Sequence, residues 1–344
     1  MTFEAVLVLR FSAVGDVVLT SPALEALKRA LPKTRVIFAT KARLGHLVQF
    51  NPNVDVVLPL QDAESPFSLA SRARALGVDA VLDLHGKLRS KLVRAALPSA
   101  RASVWTKRDW RDTVPVKLGL RPYHPDRLMA ERYHAAVEAL VGHALPRGQL
   151  RYFLGPEDRA LAQAALQAQG ADLTRPILGL SPGANWQTKR WPAERFGQLA
   201  GLASAAGWQV ATAAGPDERE LASVMKTYAP DLIDLSGQLD LAGLGGFIAS
   251  CSAFVANDSG PMHLARALGV PTLAFFGSTS PLVFAWQGHG LMFEAGLECA
   301  PCSFFGRRSC PKGHFRCMLD QSVEGAWAAL QPLLDRKPRP FVSG

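Results

Sequence analysis

"ANDSGPMHLARALGVPTLAFFGSTSP", Ala256 to Pro281, sets a polar Asp-Ser-Gly step between two kinds of apolar segment. Upstream, "CSAFVAND" is a short run of strand-forming residues. Downstream, "PMHLARALG" has helical spacing and ends on Gly269. A strand that hands over to a helix at a polar step is the repeating unit of a parallel sheet covered by helices. At such a step the backbone N–H groups of Ser259 and Gly260 have no partner in the helix, and the helix dipole favours an anion there. Gly260 lets a ligand approach the backbone, Pro261 suits the first turn, and Ser259 can cap the helix or bond a phosphate oxygen. For Asp258 and Ser259 alone, a plain N-cap is the better reading. His263, one turn into the helix, faces the same mouth and favours the ligand reading.

The same alternation runs through almost the whole chain. Strands are expected at "AVLVLRF", "RVIFAT", "VDVVLPL", "DAVLDLH" and "RASVWT". After Pro176 the pattern restarts with "ILGLSPG", "WQVATAAG", "LIDLSG", "AFVAND" and "PTLAFFG". Helical segments such as "SPALEALKRALP" lie between them, and "SVEGAWAALQPLLDR" closes the second set. Two sets imply two doubly wound α/β domains. They divide at "QGADLTRP" into residues 1–170 and 171–335, followed by a loose basic tail, 336–344. Open parallel sheets bind ligands at the carboxyl ends of their strands, and two such edges are expected to face one cleft.

The 344 residues and 48% apolar content suffice for two cores. Lys and Arg exceed Asp and Glu by nine, which favours anionic partners without choosing among them. No nucleic-acid signature accompanies the charge, and no G-x-G-x-x-G follows the first strand, which argues against a dinucleotide enzyme. "MTFEAVLVLRFSAVGD" does not read as a signal peptide. No stretch approaches the roughly 20 apolar residues of a membrane span. The expected place is the cytoplasm, with peripheral contact to the inner membrane.

Two further steps repeat the opening geometry. In "LSPGANWQTKRWPAERFG" (180–197), Lys189 and Arg190 precede a helix start at a strand's carboxyl edge. Cations there are mildly unfavourable for the fold, and a bound diphosphate would remove the conflict. Solvated surface cations are the plain alternative, more so for Arg190. In "LRFSAVGDVVLTSPALEAL" (9–27), Asp16 opens a helix after the first strand. It reads either as an ordinary first-turn acid or as a general base at the cleft.

Together these segments resemble the ADP-heptose:lipopolysaccharide heptosyltransferases, glycosyltransferase family 9. The likeness rests on "R-x-S-x-x-G-D" at Arg10–Asp16, "PGA…K-R-W-P" at Pro182–Pro192, "N-D-S-G-x-x-H-x-A" at Asn257–Ala265, and "LDLHGKLRS" around His85. It implies a GT-B fold of two Rossmann-like domains, an N-terminal one for the acceptor and a C-terminal one for the ADP-sugar donor. It also implies inverting, metal-independent transfer of L-glycero-D-manno-heptose to the inner core, on a lipid A–Kdo acceptor and without a cofactor. By position, Asp16 would be the base and Lys189 would stabilise the ADP leaving group. Asp258, Ser259, Gly260 and His263 would hold the donor, with Asp217 a looser match and Glu218 its rival. Lys87, Arg89 and Lys91 could meet acidic groups on the acceptor, or simply form a solvated helix face. The "K-R-W-P" form and the cysteine-rich segment look more like the heptosyltransferase II branch. Another nucleotide-sugar or core acceptor, or a non-catalytic anionic-glycolipid-binding protein, stays open as an alternative.

Four of five cysteines crowd into "CAPCSFFGRRSCPKGHFRC": Cys299, Cys302, Cys310 and Cys317, with His314 among them. Such a set can clamp a structural zinc, but the spacing is irregular, and packed reduced thiols are the default reading in a reducing compartment. Cys251 reads as core.

Overall fold

The computed structural model describes residues 2–105, 114, 116, 128–284 and 290–334. The tail 336–344 lies outside them. Two compact units are present. In the first, five parallel strands take the order β3-β2-β1-β4-β5: β1 Ala5–Leu9, β2 Arg35–Lys41, β3 Val56–Leu60, β4 Ala80–Asp83 and β5 Arg101–Val104. In the second, six parallel strands run β11-β10-β9-β6-β7-β8. These are β6 Ile177–Ser181, β7 Gln209–Thr212, β8 Ile233–Asp234, β9 Ala253–Asn257, β10 Thr272–Phe275 and β11 Gly290–Phe293.

The central strands are apolar on both faces because helices cover both, so β1, β6 and β9 are buried along their whole length. Leu7, Leu9, Ile37, Val81 and Val93 anchor the first core. Leu180, Trp191, Phe196, Phe275 and Met318 anchor the second. There the Trp191 ring stacks on Phe275 at 4.0 Å and its Nε1 donates to Gln321 O at 2.9 Å, so the indole is packed and satisfied at once.

Ten strands fall where the hydrophobic runs predict them. The eleventh, β11, pairs with β10 as an edge strand with half-exposed residues and no clean alternation, and the sequence reading misses it. The domain division also differs from residue 170. The first unit closes at Gly155, and helix Asp158–Ala168 packs in the second unit against helix Leu241–Ser250. Gly246 makes this possible, since a Cβ there would overlap the Asp158 carbonyl. No helix among the described residues is long and apolar enough to cross a membrane.

Each sheet has one place where the strand order reverses direction: between β1 and β4 in the first unit, and between β6 and β9 in the second. Crevices of open α/β sheets form outside the carboxyl ends of such strand pairs. The chain leaving β1 carries Asp16, that leaving β4 carries His85 and Lys87, that leaving β6 carries Lys189, and that leaving β9 carries Asp258 to His263.

Candidate active site

In the second unit, β6 ends at Ser181 and the chain loops through Pro182–Gly183 to a short 3-10 turn, Gln187–Lys189. The Lys189 Nζ lies 2.6 Å from Asp258 Oδ2, joining the loop after β6 to the end of β9. Asp258 is 2% exposed and also accepts from Thr279 Oγ1 at 2.6 Å. Burial by itself would raise its pKa, but Lys189, Thr279 and His263 outweigh burial and hold it below the usual carboxylate range. Asn257, fully buried, ties the same two segments together. Its Oδ1 accepts from Trp191 N at 3.0 Å, and its Nδ2 donates to Pro182 O at 2.7 Å. The N-D-S-G and K-R-W-P motifs are thus one physical unit.

Helix Gly260–Ala267 follows, with Ser259 in extended backbone at its N-cap. The expected cap is not made: the Ser259 hydroxyl donates to Asn257 O at 3.2 Å instead. The Ser259 side chain therefore leaves the first N–H groups of this helix uncapped, which suits an anion. His263 is buried and meets Phe284 edge-on at 4.5 Å.

Asp217 and Glu218 share a 3-10 turn after β7, yet differ sharply. Glu218 bonds Arg190 at 2.9 Å and sits so close to Gly183 that any Cβ there would overlap its carboxylate. Asp217 is exposed and has no partner among the described residues. Arg190 also donates to Ala184 O at 2.7 Å, so it braces the loop after β6 rather than standing free in solvent.

In the first unit, Asp16 lies in helix Val14–Val18 and accepts from Ala13 N at 3.2 Å, closing the helix start. The same Oδ2 pairs with the Arg10 guanidinium. Arg10 donates to Leu84 O at 2.7 Å, and its Cζ stands 5.6 Å from the Tyr133 ring. Burial opposes the Arg10 charge, while Tyr133, Asp16 and Asp83 more than offset it, so its pKa is raised. Asp83 organises the neighbouring loop by accepting from the His85 and Gly86 N–H groups, Ser90 Oγ and Arg94 Nε. Lys87 and Lys91 are exposed, whereas Arg89 is half-buried and bonded to the Glu64 carbonyl.

The cysteines of the 299–317 segment gather. Cys299 Sγ lies 3.8 Å from His314 Nε2, and burial pushes Cys302 up and Cys317 up to about 12. Among the described residues no three His, Cys, Asp or Glu side chains are placed to hold a metal ion, and the cysteines are free thiols. The segment meets the Lys189 loop through Thr188, whose Oγ1 accepts from Arg307 N at 2.8 Å and bonds Ser278 Oγ at 2.8 Å. The sequence alone assigns no role to Thr188, Thr279, Asn257 or Arg10. Thr279 was findable, because "GSTSP" follows β10 at the same sheet edge.

The chain is similar to known proteins along most of its length. Lipopolysaccharide heptosyltransferase 1 of Pseudomonas aeruginosa is 27% identical over 313 residues, covering 86% of this chain and 85% of its own. A family 9 glycosyl transferase structure from Veillonella parvula superposes with a TM-score of 0.81 at 23% identity, over 97% of this chain and 98% of that one. The E. coli ADP-heptose LPS heptosyltransferase II structure gives 0.74 at 20% identity, over 96% and 98%. The fold is therefore GT-B, as the motifs implied. Residues 67–304 match the model of glycosyltransferase family 9 (heptosyltransferase), and the chain belongs to that family.

Proposed function

We propose that the protein transfers heptose from ADP-heptose to the inner core of lipopolysaccharide, with inversion and without a metal ion. The observation that carries this reading is the Lys189–Asp258 pair beside an uncapped helix N-terminus. A sugar hydroxyl is a poor nucleophile, so Asp16 takes its proton as the new glycosidic bond forms. The departing diphosphate gathers negative charge. Lys189 and the N–H groups at Ser259 and Gly260 meet that charge, the task a metal ion performs in other transferases. His263 lines the same end of the helix. Asp258 acts on Lys189 more than on the donor, since its Oδ2 is already bound to Lys189 and Thr279. Glu218 shapes the loop after β6, leaving exposed Asp217 as the acid at that edge free to meet the donor's hydroxyls. Lys87 and Lys91 meet acidic groups of the acceptor. The protein works in the cytoplasm, at the inner face of the membrane that carries its lipid acceptor.

The test is ADP release from ADP-heptose by the purified protein, with lipid A–Kdo acceptors bearing no heptose or one, each with and without EDTA. Acceptor-dependent release that survives EDTA supports the reading, and the preferred acceptor names the branch. Release abolished by EDTA and restored by a divalent cation contradicts the metal-free mechanism.

A further inference from the structure

Only one oxygen of Asp16 is committed. Oδ2 takes both the Arg10 guanidinium and the Ala13 N–H, and no group among the described residues bonds Oδ1. Arg10 itself is held from several sides. Its backbone extends the ladder beyond β1 by donating to Ala39 O at 3.1 Å. Its guanidinium forks between Asp16 and Leu84 O, and Leu84 N is in turn pinned to Leu9 O at 3.1 Å. The Arg10 side chain is 8% exposed against 31% for Asp16. A buried fork fixed to the sheet thus grips one edge of a carboxylate whose other edge is open.

We infer that Arg10 is a positioning residue for the transfer step: by holding Oδ2 it presents Oδ1 as the oxygen that receives the acceptor's proton. The inference rests on the reading of Asp16 as the base. In the step, the acceptor oxygen bonds the anomeric carbon while its O–H bond breaks and the proton passes to Oδ1. The bond from the anomeric carbon to the diphosphate breaks, and its electron pair leaves with ADP. Lysine cannot replace this fork, because one ammonium on a flexible stem does not hold Asp16 and Leu84 O in one plane. A shift of the carboxylate by a fraction of an ångström is costly when the base must meet a single hydroxyl.

The experiment measures kcat, and KM for ADP-heptose, for the wild type, Arg10→Lys, Arg10→Gln, Asp16→Asn and the Asp16→Asn/Arg10→Lys double variant. Each uses the lipid A–Kdo acceptor that the wild type prefers. Arg10→Lys should lower kcat about tenfold and Arg10→Gln about a hundredfold, with KM within about twofold. In single turnover, the double variant should be no slower than Asp16→Asn, because a residue acting only through Asp16 has nothing left to position. Arg10→Lys with wild-type kcat overturns the inference. So does a further tenfold loss on top of Asp16→Asn. Arg10→Lys keeps the buried charge, so it decides the question even if Arg10→Gln does not fold. Asp16→Asn with wild-type turnover would overturn the base itself, an outcome visible before any Arg10 variant is compared.

Discussion

The two units carry the same device with its ends exchanged. At the switch point between β1 and β4, the cation is buried and the carboxylate reaches solvent: Arg10 is 8% exposed and Asp16 31%. At the switch point between β6 and β9, the carboxylate is buried and the cation is the outer member: Asp258 is 2% exposed and Lys189 14%. In each, the inner charge offsets part of the cost of bringing the outer one to the sheet edge and fixes its geometry. The outer members differ in their chemistry. A carboxylate can accept a proton, and an ammonium can meet a departing diphosphate.

The largest effect should come from removing the outer carboxylate. Asp16→Asn keeps the shape and an oxygen to accept from Arg10 and Ala13 N but removes the charge, and turnover should fall by about 10²–10⁴, the range that a positioned base supplies. Steady-state ADP release checks this, and a loss below threefold would reduce Asp16 to an ordinary first-turn acid.

Removing the inner carboxylate should act on stability as well. Asp258→Asn leaves Lys189 without its charge partner at a mostly buried position, at a cost of about 3 kcal/mol. Urea unfolding measures it, and a change below about 0.5 kcal/mol would mean that the pair does not hold the second unit together. The same pair fixes a pH dependence. The pKa of Asp258 is depressed in the fold, so its contribution is complete above the unfolded carboxylate value of about 3.9 and disappears as pH falls through the lower folded value. Asp55 and Glu64, depressed in the first unit, act in the same direction. Asp258→Asn should therefore flatten, but not abolish, the loss of stability as pH falls below about 4. An unchanged acid profile would contradict the assigned role of the pair.

These pairs also show what a sequence can and cannot reveal. Asp16, Lys189 and Asp258 were legible because each lies where a buried β-run meets a helix, and that junction is written in consecutive residues. Their partners were not. Lys189 and Asp258 are distant in sequence and meet only because β6 and β9 are neighbours in the sheet. Arg10 reaches Leu84 because β1 lies beside β4. Helix Asp158–Ala168 has a clear amphipathic pattern, but the pattern does not say which sheet it covers. Gly246 in a distant helix decides that. Ser259 had the right residue type for a cap, yet a nearer acceptor, Asn257 O, takes its hydroxyl.

The smallest effects belong to charges outside either pair. Lys87 and Lys91 are exposed, and their ammonium groups form no ion pair among the described residues. Lys87→Ala/Lys91→Ala should change stability by less than about 0.5 kcal/mol. It should raise KM for the lipid A–Kdo acceptor about threefold while leaving that for ADP-heptose alone, as fits screened surface charges. An unchanged acceptor KM would return both lysines to the solvated helix face.

The division of labour between the two outer charges is tested most directly by titrating ADP calorimetrically into the wild type, Asp16→Asn and Lys189→Ala, with turnover measured on the same preparations. Asp16→Asn should bind ADP as the wild type does and fail to turn over. Lys189→Ala should lose about tenfold or more in ADP affinity along with its turnover. Wild-type ADP binding by Lys189→Ala, or normal turnover by Asp16→Asn, would contradict that division.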